Sequence, residues 1–311
     1  MVDDENIKTT VSPFAIREGE IKTFDGKDGY VSINQIIQKI NLGHISDIHF
    51  AILDIVNEYE FVTSRQIFQM LEHRGVEIKN QDKLNTRLDQ MVKMKIITRY
   101  YFTSEEGKGI YRIYCLEKMG KYLLNSKEEE CKWQPTDNTK PVVLIKKRLS
   151  GNQAVMAYIR KAKNYNSHKV KPIIQAKMAG KSFKAHGQVS LKVKDKEVNL
   201  IFDCIRRETD WEKNFFERIK LYKDFYDNFV PMDSGFMMPP QLILVCEDDK
   251  HCVETYKVIV SNKVEIDKFK IYFSTDLKQN AKTLNKSLME FSKDEETGKY
   301  KANSVDIKLL G

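Results

Sequence analysis

The stretch NLIFDCIRRE, residues 199–208, sets an apolar run in front of Asp203 and follows it with Arg206, Arg207 and Glu208. A carboxylate leaving a buried strand beside basic side chains is a starting point for metal-assisted phosphodiester hydrolysis. That chemistry requires two carboxylates close enough to share a divalent ion, and a lysine that activates water or steadies the developing charge. The residues around Asp203 do not complete such a set. The preceding strand, GQVSLKV, begins behind His186, with Gly187 and Gln188 where a second carboxylate is needed. Cys204 and Ile205 follow Asp203, so no lysine stands at the required spacing. Asp195 and Glu197 lie in the polar KDKE segment and read as a solvated turn. One carboxylate cannot supply three ligands, so Asp203 and Glu208 are expected to be a vestigial pair, with Asp203 partnering a nearby arginine. No catalytic residue, metal or cofactor is expected. The enzymatic alternative is a divergent metal-dependent endonuclease using Asp203, Glu208 and a further acid.

Other chemistries find less support. The five cysteines, at 115, 131, 204, 246 and 252, form no CxxC pair, and the six histidines are scattered, so neither a zinc site nor a disulfide framework is indicated. No GxxxxGK[ST] motif is present. No run of eighteen apolar residues occurs and the start, MVDDENIK, is acidic, so a cytoplasmic protein without a membrane partner is expected.

The net charge of +8 is unevenly placed. Residues 44–128 hold thirteen Lys/Arg against twelve Asp/Glu, whereas residues 140–200 hold fifteen against Asp195 and Glu197 alone. A block of one sign attracts phosphate, and its affinity falls steeply with salt. Lysines dominate it and few aromatics interrupt them, which points to neutralising a duplex backbone rather than stacking single-stranded bases. Lys146, Lys147 and Arg148 open the block and are expected on DNA.

The elements that position these residues divide the chain into an appendage (1–43), a first domain (44–130), a polar linker (131–145) and a second domain (146–311). DIHFAILDIVNEYEF carries apolar residues at Ile48, Ala51, Ile52, Ile55 and Val56, which is helical spacing. TSRQIFQMLEHRG opens at a capping Thr63 and ends at Gly75, a second helix. A third, NQDKLNTRLDQMVKMKII, has Leu84, Leu88, Met91 and Val92 on one face. A hairpin turning at Gly107 to Gly109 and a fourth helix follow. This is the order of a winged helix-turn-helix, in which the third helix enters the major groove. Gln81, Lys83, Thr86, Arg87 and Gln90 are then the candidate readers of DNA, with Lys108 on the wing and Arg65 on the second helix as phosphate contacts. Beyond the linker, strands alternate with helices at GNQAVMAYIRKAK, WEKNFFERIKLYKDFYDNF and HCVETYKVIV, giving an α/β domain with a mixed sheet. The chain as a whole is expected to be α+β.

The helix, hairpin, helix and strand order of the second domain resembles a degenerate PD-(D/E)xK nuclease fold. More specifically, FDCIRRETDWEKNFFERIKLYKDFYDNF, behind a winged helix and a linker, resembles the replication-relaxation family of plasmids and conjugative elements. Asp203 and Glu208 match the second and last acids of that family's E-x-D-R-G-T-E motif, and Lys220 or Lys223 with Tyr222 and Tyr226 match its helix pattern. Ile201 stands at the first acid, and His186 and Gly187 replace the family's Pro-Asp. The resemblance implies a double-stranded DNA-binding accessory protein for replication, mobilisation or transfer of a mobile element, working with replication or transfer proteins. A homodimer would fit paired half-sites. A winged-helix transcriptional regulator is the remaining alternative.

Overall fold

A computed structural model describes residues 12–105, 107–127, 131–194, 196–231, 234–265, 269–281, 283–293 and 300–306; the side chains of 107–110, 293 and 300 lie outside that description. Contacts group the chain into two units, Arg17–Ile145 and Met1–Ile16 with Lys146–Gly311.

In the first unit, helices start where a side chain can satisfy the free N–H groups of a first turn. Ser32 and Thr63 form reciprocal capping boxes with Gln35 and Gln66, and Asn80 accepts from the Lys83 N–H at 3.0 Å. The elements are β1 (Ile21–Phe24), α1 (Ile33–Asn41), α2 (Asp47–Tyr59), β2 (Val62–Thr63), α3 (Ser64–His73), α4 (Gln81–Lys93), β3 (Ile97–Ser104), β4 (Gly107–Leu116) and α5 (Lys118–Ser126). The strands form an antiparallel sheet in the order β1-β3-β4-β2. Ile52, Ile55 and Val56 of α2, Ile67 and Leu71 of α3, and Leu84, Leu88 and Met91 of α4 are buried together with Ile97 and Ile113 of the sheet.

Two expected boundaries change. Part of the appendage is structural, because Ile21–Phe24 pairs with Tyr100–Thr103 and Asp25 forms ion pairs with Arg99 at 3.1 Å and Arg112 at 2.8 Å. Nor is the linker segment free. Its polar residues make directed bonds: Trp133 Nε1 donates to Asn138 Oδ1 at 3.1 Å, and the buried Asn138 donates to Leu116 O at 2.8 Å. The signal read as solvated polarity belongs to a 3₁₀ turn, Pro135–Thr139, held against the hairpin.

The helix α6 (Val142–Lys161) leads into the second unit, followed by β5 (Tyr165–Lys169), β6 (Ile173–Ala176), β7 (Lys181–Lys184), β8 (Gly187–Val193), β9 (Lys196–Cys204), α7 (Trp211–Asp227), β10 (Gln241–Cys246), α8 (Asp249–Ser261), β11 (Ile271–Thr275), α9 (Asp276–Asn280), β12 (Leu288–Lys293) and β13 (Tyr300–Val305). The main sheet has seven strands in the order β13-β12-β11-β10-β9-β8-β5. β9, β10 and β11 are parallel and the outer pairings antiparallel, so the sheet is mixed and the chain is α+β. The parallel centre is apolar on both faces, as QLILVC shows. Ile201, Leu242 and Leu244 pack with Phe215, Ile219 and Tyr222 of α7 and Ile259 of α8. On the opposite face Tyr158 of α6 meets Phe202 with ring centroids 5.1 Å apart.

α6 begins earlier than its apolar spacing suggests and is buried almost all round from Ile145 to Ile159, which leaves no amphipathic period to read. It approaches β8 through Gly151, where a Cβ would stand 2.6 Å from His186 O. Gly151→Ala is therefore expected to destabilise the second unit by about 1–3 kcal/mol, because backbone must move to admit one methyl. A urea midpoint equal to that of the parent would contradict this packing.

Candidate nucleic-acid interface

Helix α4 separates its faces cleanly. Leu84, Leu88, Met91 and Val92 are buried. At 3.6 residues per turn the opposite stripe is Lys83, Thr86, Gln90 and Lys93, and all four are exposed. Arg87 lies on the flank toward α2. After burial itself, its charge is the next cause holding the buried His49 imidazole below the ordinary range. Two surface hollows border the stripe. One, of about 370 Å³, is lined by Ile48, Glu77, Lys79, Lys83, Thr86 and Arg87, and the other, of about 390 Å³, by Lys39, His44, Lys93 and Met94; Gln90 lines both. Among the described residues no carboxylate pairs with Lys39, Lys79, Lys83, Arg87 or Lys93, whereas Asp89, half exposed beside Thr86 and Lys93, is tied to Arg99. Arg87, Gln90 and Lys83 thus present the donors and acceptors that base edges and phosphates require.

The remaining candidates of this unit are placed differently. Gln81 is half-buried and donates to Asn85 Oδ1 at 3.3 Å, on the core-side flank rather than the open face. The Thr86 hydroxyl donates back to Asp82 O at 3.0 Å, leaving its oxygen as an acceptor. Arg65 is exposed on the first turn of α3. Lys108 belongs to β4, and its side chain lies outside the described residues. Lys39, His44, Lys79 and Lys93 were not among the sequence candidates. Lys93 was legible, since it continues the spacing of Thr86 and Gln90; Lys39 and His44 join the surface only through the fold.

The basic trio at the head of α6 corrects the expectation for it. Lys146 is 1% exposed and its Nζ donates to Ala15 O at 2.5 Å. Arg148 is 8% exposed and donates to His186 O at 3.1 Å. Lys147 forms an ion pair with Glu208 at 2.5 Å. These charges hold the second unit together; α6 is covered on the face where solvent exposure was expected.

The carboxylates of NLIFDCIRRE are answered internally in the same way. Asp203 extends from β9 toward α7, where Arg218 Nε donates to Oδ2 at 2.7 Å and His186 Nδ1 lies 2.5 Å from Oδ1. Burial alone would raise the Asp203 carboxyl, but Arg218 and His186 hold it well below the usual carboxylate range. The Arg218 guanidinium is stacked over the Phe183 ring at 4.5 Å, which fixes its position. Arg206, fully buried, makes two 2.9 Å bonds to Asp276. Arg207 reaches Asp248 at 2.6 Å and Glu254 at 2.9 Å. Of the helix positions suggested by resemblance, Lys220 and Lys223 pair with Glu217 and Asp227 on the same helix, while Tyr222 and Tyr226 are buried. Tyr222 is buried next to Asp203, whereas the two lysines are tied to Glu217 and Asp227 rather than to Asp203, and among the described residues no group of three His, Cys, Asp or Glu could hold a metal.

An open α/β sheet usually binds ligands beyond the carboxyl ends of its parallel strands. Here the chain's own N-terminal segment occupies that edge. Ser12 Oγ donates to Asp276, Phe14 is buried, and the Ile16 N–H donates to Glu247 Oε1 at 3.1 Å.

This neutralised interior gives the unit a defined acid response. Burial is the main cause that lowers His186 to about 4, and burial followed by Arg207 and Arg206 lowers His251 to about 3. An unfolded histidine takes up its proton near pH 6.5, so between there and pH 4 the unfolded chain binds more protons, and stability falls with pH by up to about 1.4 kcal/mol per unit for each histidine. The Asp203 contribution is present above its unfolded value near 3.9 and is lost as pH falls further. The urea midpoint is expected to drop from pH 7 to pH 5, and less steeply in His186→Gln. A midpoint constant over that interval would contradict the neutral buried imidazoles.

No protein-family model, curated protein or solved structure matches the chain. No helix among the described residues is long and apolar enough to cross a membrane.

Proposed function

We propose that this is a double-stranded DNA-binding protein whose first unit is a winged helix-turn-helix, with α4 in the major groove. It acts as an accessory protein in replication, mobilisation or transfer of a plasmid or other mobile element, a role supported by the resemblance of its sequence to the replication-relaxation family. The observation that carries the DNA-binding reading is the open stripe of α4: four polar or cationic side chains facing solvent, with Arg87 beside them and no carboxylate partner among the described residues. The order α2, α3, α4 and then the antiparallel hairpin β3–β4 supports this module.

The second unit is proposed as a nuclease-like fold serving a non-catalytic role. Asp203 and Glu208 each already have a cationic partner, Arg218 and Lys147. Mapping the DNA bound by the full chain along a mobile element tests the role. Occupancy at an origin of replication or transfer is the expected result; occupancy confined to promoters would make the protein a regulator instead.

A further inference from the structure

Several exposed lysines of the second unit lie on or next to the strands β5, β7 and β8. β5 is the terminal strand of the seven-stranded sheet, and β6 and β7, next in the chain, form an antiparallel ribbon of their own. Burial alternates along β6 and from Ser182 along β7. Ile174, Ala176 and Phe183 join the core beside Phe215 and Tyr222 of α7, while Ile173, Gln175, Ser182 and Lys184 face outward; Lys181, on the Phe183 side of the ribbon, is exposed beside the tip. Two bonds pin it to α7: Arg218 Nη2 donates to Lys184 O at 2.5 Å, and the Ala179 N–H at the tip donates to Asp224 Oδ2 at 3.1 Å. The ribbon is thus a preformed surface that need not order itself on binding.

That surface is cationic and carries two apolar side chains. Lys169 ends β5, Lys181 and Lys184 lie on β7 and Lys194 follows β8; all are exposed, and none has a carboxylate partner among the described residues. Met178, at the ribbon tip, is 80% exposed and Ile173 59%. β5 is about 17 Å long at the usual rise per residue, a length over which a duplex carries about ten phosphates. A lysine row with an apolar tip suits a ribbon laid along a groove, since methionine and isoleucine are among the side chains that insert at base steps. A lipid surface would call for a broad apolar face instead.

We propose that this edge is a second contact for duplex DNA, independent of sequence: Lys169, Lys181, Lys184 and Lys194 neutralise phosphates, and Met178 enters a groove. The contact rests on the reading of the chain as a DNA-binding protein but uses none of the residues of α4.

The test is fluorescence anisotropy of the full chain with a random-sequence duplex over a series of salt concentrations. The parent is compared with Lys169→Gln/Lys181→Gln/Lys184→Gln, with Met178→Ala and with Lys83→Gln/Arg87→Gln. The triple variant is expected to lower the salt slope by about three and to weaken binding roughly a hundredfold near 0.15 M salt. Met178→Ala is expected to weaken binding a few-fold at unchanged slope, because an apolar contact releases no counterions. A triple variant with the parent's slope and affinity overturns the proposal and leaves α4 as the DNA contact. Loss in the triple variant but none in Lys83→Gln/Arg87→Gln removes α4 and leaves this edge. Met178→Ala equal to the parent excludes the groove contact. Binding to phosphatidylserine vesicles with none to duplex overturns both readings.

Discussion

Asp276→Ala is expected to destabilise the second unit by about 3–5 kcal/mol, because it leaves the fully buried Arg206 guanidinium without its counter-charge. Asp276 accepts two 2.9 Å bonds from Arg206, one of 2.5 Å from Ser150 and one from Ser12, and is itself 1% exposed. The chain provides its own reporters: of its two tryptophans, Trp133 lies in the first unit and Trp211 in the second. Urea unfolding followed through Trp211 in a Trp133→Phe background should show the whole loss. A shift below about 1 kcal/mol, the size of an ordinary exposed ion pair, would mean that the pair is hydrated. Replacing both partners, as in Arg206→Met/Asp276→Leu, should recover most of the stability, since the charge and its counter-charge are removed together.

The second large effect is expected on DNA. Arg87→Ala and Gln90→Ala should each remove about 1–3 kcal/mol of discrimination at one or two base pairs, with little loss on unrelated sequence. Lys83→Gln/Lys93→Gln should act in the opposite way, weakening all duplexes alike and lowering the salt slope by about two. The distinction follows from geometry: guanidinium and amide groups can make paired bonds to a base edge, whereas an ammonium is a point charge. Equal behaviour of the two sets would mean that α4 meets only phosphates.

Much of the first unit was legible because its helices carry their own punctuation. Thr63, Asn80 and the 3.6-residue spacing of Leu84, Leu88 and Met91 mark α3 and α4 to within a few residues. The hairpin was equally plain from its β-rich arms and glycine turn. β1 was hidden because Ile21–Phe24 is short and partly exposed, and only its register with β3 makes it a strand. In the second unit the parallel strands were legible as apolar runs. α6 was underread because a helix buried on every side has no period, and its basic residues suggested a surface. Charge along the sequence does not distinguish a lysine that meets solvent from one such as Lys146 that meets a buried carbonyl. The closed state of Asp203 was half legible: an arginine partner was expected, but Arg218 lies fifteen residues away on α7 and becomes a neighbour only through the fold. The short strands β5, β6 and β7 were read only as a basic stretch, because lysines at their exposed positions obscure a two-residue alternation.

The most direct measurement is selection of bound sequences from a random duplex pool by the full chain, repeated with Arg87→Ala and Gln90→Ala. Reading by α4 predicts a defined sequence for the parent and a preference relaxed at separate base pairs in each variant. A parent that enriches no sequence, or variants that enrich the same one as strictly, would contradict it.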